Sequence, residues 1–160
     1  MRVVLSVAAL AAGYIWLTGA SLPPEVISRF DTSGTADSFM SRESYLGVMT
    51  VIVILVPFVT FYIGRWVAYR PEDALTLPNK AYWLAPERRV ESLGYIAKWL
   101  QWCSMGVAVF ICYVHWLIVR GNSLTPPQLE STQLYAALMV ALIAQLFAIS
   151  VLISRFRRVV

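Results

Sequence analysis

Four long stretches of the chain carry apolar side chains with almost no charge: residues 3–20, 46–64, 99–119 and 134–154, the third interrupted only by His115. Each approaches the roughly 20 apolar residues a helix needs to cross the hydrocarbon core of a bilayer. Water is absent at that depth, so backbone N–H and C=O groups must pair within the segment, which a continuous helix achieves. The pattern predicts one all-α integral membrane domain over residues 1–160: four transmembrane helices, a short structured outer loop and a longer amphipathic cytoplasmic loop. The first stretch, with Arg2 before it and Thr18, Gly19 and Ala20 at its end, also has the outline of a signal peptide. Its apolar run exceeds the about 7 to 15 residues of such a core, so it reads as a retained helix.

Within these helices, small residues mark the seams expected where helices associate without a hydrophobic driving force. Ala137, Ala141, Ala144 and Ala148 recur at helical spacing in the fourth, and Ala8 with Ala12 and Ala9 with Gly13 in the first. Gln145, in mid-span, is expected to hydrogen-bond a neighbouring helix as structural glue. Pro57 predicts a kink in the second.

Composition closes off a soluble alternative. With 59% hydrophobic and 14% charged residues and a mean hydropathy of +0.66, the chain falls well below the about 25% charge that keeps a soluble domain wet. The thirteen basic residues also set an orientation, because cytoplasmic segments carry the excess of Lys and Arg. Arg2, Arg65, Arg70, Lys80, Arg88, Arg89, Lys98, Arg155, Arg157 and Arg158 share one side of a four-span protein, leaving Arg29, Arg42 and Arg120 on the other. Both termini and the middle loop are expected to face the cytoplasm. Aromatic residues agree with this orientation: Trp16, Tyr45, Trp116 and Tyr135 fall at outer ends, and Trp66, Tyr69, Trp99 and Trp102 at inner ends. The net charge of +4 is then headgroup anchoring, with membrane lipid as a partner and no nucleic acid.

The outer loop runs from Ser21 through Leu22-Pro23-Pro24 to Phe30-Asp31, Gly34, Asp37 and Arg42. Asp31, Ser33 and Gly34 supply the chemistry of a tight turn. Arg29, Asp31, Ser33, Gly34 and Asp37 form one candidate binding surface. Asp31, Ser33 and Asp37 offer oxygens, but calcium takes about six to eight and the spacing is not that of an EF-hand. The expected role is a compact turn capping the bundle, without metal.

Leu22-Pro23, Phe30-Asp31, Gly34, Asp37 and Arg42, with their flanking spans, resemble a widespread family of bacterial membrane domains of unknown function. That family is related to the one containing the immunity protein of producers of the sporulation-delaying toxin. Arg29 stands where its pattern has His, and Ala36 where it has Pro. The resemblance covers about the first 65 residues and implies architecture together with an immunity-like role.

The cytoplasmic loop holds the second candidate surface, Asn79, Lys80, Tyr82, Trp83, Glu87, Arg88 and Arg89. Its Leu-Pro-Asn-Lys and Tyr-Trp-Leu-Ala-Pro-Glu-Arg-Arg segments are similar to ones recurring among relatives of the same domain. Pro78-Asn79-Lys80 reads as a turn and Pro86 as a first helical residue, from which the helix runs on into the third span. The loop reads either as a docking surface for a partner protein or anionic lipid, or as an elbow seating the third helix.

Other chemistry is thin. Cys103 and Cys112 lie on opposite faces of one predicted helix and cannot pair with each other there. Cys112 and His115 share a face, with Met49 or Met139 as conceivable soft partners for a metal or haem, but a single His favours apolar burial and no cofactor. His115 is the only ionisable group within the spans, which argues against a proton-coupled transporter acting alone. The expected function is non-enzymatic binding, in an interaction, regulatory or immunity-like role, to a membrane-protein partner or as a homo-oligomer. An accessory subunit of a membrane enzyme or transporter complex is the alternative.

Overall fold

A computed structural model describes residues 2–31, 34–71 and 74–158. In chain order the elements are α1 (Arg2–Gly19), β1 (Glu25–Phe30), β2 (Ala36–Ser41), α2 (Arg42–Tyr69), α3 (Lys80–Trp83), α4 (Pro86–Asn122) and α5 (Ser131–Arg157). Three of them, α2, α4 and α5, are long and apolar enough to cross a membrane, and α1 is a shorter apolar helix.

Local chemistry sets the helix limits. Ser41 caps α2 by accepting from the Ser44 N–H at 3.2 Å, with Glu43 placed favourably in the first turn. Arg70, the residue before Pro71, turns extended (φ −68°, ψ 144°) and ends the helix. α2 runs unbroken through Pro57. Pro86 opens α4, where a missing N–H costs nothing, and the helix continues for 37 residues from the loop into its apolar stretch, as the sequence predicts.

The helices do not close into a symmetric four-helix bundle. α1, α2 and α4 pack against one another, whereas α5 rests chiefly on α4, and its most apolar window has no buried residues. One core cluster lies among α1, α2, α4 and the hairpin, around Ile15, Val26, Tyr45, Leu46, Val53 and Ile118. A second gathers Leu75, Leu84, Leu93, Ile96 and Phe156 toward the other end. Gln145 bonds across helices as expected, donating to the Cys103 carbonyl at 3.0 Å, and Trp99 Nε1 ties the same pair of helices through the Ala148 carbonyl at 3.0 Å. Among the small-residue pairs of α1, Ala8 is buried and Ala12 half-buried in the seam, whereas Ala9 and Gly13 face outward. The seam follows Val4, Ala8, Ala11 and Ile15, which recur at helical spacing.

The all-α expectation needs one correction. Residues 25–30 and 36–41 pair as an antiparallel hairpin, Glu25 with Ser41, Val26 with Met40, Ile27 with Phe39 and Phe30 with Ala36, with register shifts either side of Arg29. Val26 turns inward into the core cluster, and Ile27, on the other face opposite Phe39, is buried as well, which gives this short ribbon the apolar support an isolated hairpin lacks. Arg42 fastens its base, with its N–H donating to the Pro24 carbonyl at 2.9 Å and its Nη1 to that of Leu22 at 3.3 Å.

Candidate functional site

At the hairpin tip, the Asp31 N–H donates to the Thr35 carbonyl at 2.8 Å and the Gly34 N–H to the Asp31 carbonyl at 3.0 Å. The Asp31 carboxylate accepts from the Thr35 N–H at 2.8 Å. Asp31 thus organises the turn, and Gly34 occupies a left-handed conformation (φ 86°) that favours glycine. Ser33 lies outside the described residues. Arg29 and Asp37 meet across the strands, Nε to Oδ2 at 2.7 Å, with both side chains well exposed. Such a pair contributes about 1 kcal/mol or less, so its main effect is to fix the polar face of the hairpin. Among the described residues no group of three or more His, Cys, Asp or Glu assembles.

The hairpin is held by a residue that sequence reasoning missed. Asn122, last in α4, accepts from the Ile27 N–H at 2.8 Å and donates through Nδ2 to the Ile27 carbonyl at 3.2 Å. One amide therefore satisfies both main-chain groups of a buried strand residue, as a neighbouring strand would. Gly34 is clamped from the same side, because the Leu129 N–H donates to its carbonyl at 3.1 Å. Asn122→Ala is expected to remove about 1–3 kcal/mol of stability by leaving both Ile27 groups without a protein partner. Thermal unfolding in detergent measures the loss, and accelerated amide exchange at Ile27 locates it.

Beneath the hairpin lies His115, 0% exposed. Its Nε2 is 2.9 Å from Thr18 Oγ1, and its Nδ1 is 2.8 Å from the Tyr45 hydroxyl. The Thr18 hydroxyl proton is already given to the Tyr14 carbonyl at 2.7 Å, so Thr18 accepts from Nε2–H and the Tyr45 O–H donates to Nδ1. One tautomer thereby satisfies the whole chain of donors and acceptors. The ring also stacks on Tyr45 (5.6 Å, 17°) and meets the edge of Tyr14 (6.0 Å, 80°). The arrangement joins α1, α2 and α4 and occupies both ring nitrogens, which makes His115 a structural hub. Tyr45, placed in the outer aromatic belt from sequence, is only 3% exposed and belongs to this network instead.

At the opposite end the seven loop candidates divide. Asn79, left-handed at φ 50°, donates to the Arg157 carbonyl at 2.8 Å and the Phe156 carbonyl at 3.2 Å. Trp83 Nε1 donates to the Phe156 carbonyl at 2.9 Å. These bonds satisfy carbonyls that the end of α5 leaves without helical partners. Arg89 does the same for α2, donating to the Arg70 carbonyl at 2.7 Å. Asn79, Trp83 and Arg89 thus act within the fold, as an elbow would. Lys80 and Tyr82 are half-buried, Glu87 and Arg88 exposed, and Arg88 lies over the Tyr82 ring at 4.1 Å. The structure therefore brings a smaller polar group to this surface than the sequence suggested.

The fold and these two ends define a helical membrane protein whose polar side chains chiefly brace helix ends and a surface hairpin. Comparison with protein-family models, with curated proteins and with solved structures gives no match.

Proposed function

We propose that the chain is a non-enzymatic, four-span protein of a bacterial inner membrane that acts by binding another membrane protein, in a regulatory or immunity-like role. Ten of its thirteen basic residues lie in the termini and in residues 65–98, which supports a cytoplasmic location for these segments. The resemblance of residues 22–42 to a family related to toxin-immunity proteins supports the same role. The observation that carries the reading is Phe39. It is 63% exposed on the outward-facing row of β2 that also bears Asp37, on a hairpin clamped by Asn122, Leu129 and Arg42. An exposed aromatic beside an oriented charge pair, held on a rigid mount, is the composition of an interface anchor.

The accessory-subunit reading has its own support in α5, whose most apolar window is wholly unburied and which presents Val140, Leu146 and Phe147 to its surroundings. Photocrosslinking in native membranes tests the main proposal. A photoreactive phenylalanine analogue at Phe39 is expected to give a discrete protein adduct, and the same analogue at Val109, 69% exposed within α4, lipid adducts alone. Absence of a protein adduct at position 39, or identical adducts at both positions, would sink the proposal.

A further inference from the structure

α2 and α4 come close at Gly64, where an added Cβ would lie 3.4 Å from the Ala97 Cα. Beside this crossing, toward the ends that carry Arg65 and Arg89, lies an open groove of about 330 Å³. Gly64, Leu93, Gly94 and Ala97 give it an apolar floor, and Arg65, Tyr69 and Arg89 form its rim. A Cβ at Gly94 would meet nothing within 4 Å, so the floor is open along α4.

The rim is cationic. Arg65 Nη2 donates to the Tyr69 hydroxyl at 3.1 Å, and the guanidinium sits 5.6 Å from the centroid of the same ring. Both contacts are to a neutral group. The ion pairs seen among the described residues involve Arg29, Arg42, Arg120 and Arg155, and Arg65 is in none of them. Arg70 lies over the Trp66 ring at 3.6 Å, adding a second guanidinium at this end of α2. A small soluble anion gains nothing from an apolar floor, and an uncharged lipid gains nothing from Arg65. The two features together fit a headgroup phosphate at the rim with an acyl chain along the floor.

We infer that the α2–α4 groove binds one anionic glycerophospholipid, its phosphodiester at Arg65 and one acyl chain over Gly94. The inference rests on the membrane location of these helices and is independent of the partner proposed for the hairpin.

Native mass spectrometry of the full-length, delipidated protein tests it, with phosphatidylglycerol and phosphatidylcholine of identical acyl chains as probes. The first phosphatidylglycerol is expected to bind about fivefold more tightly, the effect of one arginine near an anionic headgroup. Arg65→Gln is expected to abolish that preference, weakening phosphatidylglycerol about fivefold more than phosphatidylcholine, because choline already offsets the charge of the phosphodiester the two lipids share. Gly94→Leu extends into open space, so the fold tolerates it, and it is expected to lower occupancy by both lipids. Arg158→Gln, at the far end of α5, is expected to leave the preference intact. Equal binding of the two lipids to the wild type, a preference that survives Arg65→Gln or is lost in Arg158→Gln, or undiminished occupancy in Gly94→Leu would each overturn the assignment. Thermal midpoints of the variants accompany the titrations, and Arg65→Gln, on an exposed side chain, keeps the test decisive if Gly94→Leu folds poorly.

Discussion

His115→Leu is expected to lower the unfolding free energy of the detergent-solubilised protein by about 3 kcal/mol, measured by reversible thermal or denaturant unfolding. Leucine restores much of the volume, so most of the cost lies in hydrogen bonding. The Tyr45 hydroxyl, on a residue 3% exposed, loses its acceptor at Nδ1. Thr18 keeps its bond to the Tyr14 carbonyl and loses the contact to Nε2. The ring stack that joins the start of α2 to α4 disappears as well. Tyr45→Phe alone is expected to cost about 1–2 kcal/mol, by leaving Nδ1 without a donor. The double variant His115→Leu/Tyr45→Phe is expected to be more stable than the sum of the single losses predicts by about 1 kcal/mol, because no orphaned hydroxyl remains. Strict additivity would show that the two residues are not energetically coupled and that His115 is ordinary core filling.

This network shows why the two ends of the protein were legible to different degrees. The charge-free runs announced helices because a bilayer demands internally bonded backbone over a fixed length, and that demand is written locally. Pro86, Asn79 and Gln145 were legible for the same reason: a ring that suits a first helical turn, a turn-former at φ 50° and an amide with no water to bond. The hairpin was not. Its Val26 and Ile27 are buried on opposite faces and so adjacent in sequence, and the irregularities beside Arg29 break the period of two that identifies a strand. Nor were the residues that hold the ends. Asn122 lies 95 positions from Ile27, Asn79 lies 77 from Phe156, and Thr18 lies 97 from His115. Each is an ordinary polar residue until the fold supplies its partner. Tyr45 was misplaced for a related reason: a tyrosine near a helix end suits a headgroup belt and a buried hydroxyl network equally well, and only the position of His115 decides between them.

Gly34→Ala is expected to undock the hairpin from the α4–α5 connection, with a local cost of about 2–3 kcal/mol. Two effects act together. The φ of 86° is strained for alanine, as for most residues with a Cβ, and the added Cβ overlaps the Leu129 carbonyl oxygen, a backbone atom with no rotamer to escape into. The chain must move, and the bond from the Leu129 N–H to the Gly34 carbonyl is lost. Hydrogen exchange is expected to show reduced protection at Leu129 and through residues 25–41, with the helical interior of α2 and α4 unchanged, as for a local opening. Gly34→Asn separates the two causes, because asparagine tolerates the left-handed region yet carries the same Cβ. If the collision dominates, asparagine is about as damaging as alanine; rescue by asparagine would assign the cost to backbone strain. Unchanged protection at Leu129 in both variants would refute the clamp itself. Since Phe39 keeps its orientation only while the hairpin is docked, the Gly34 variants are also expected to weaken the crosslink from position 39, which ties the fold of the turn to the proposed binding role.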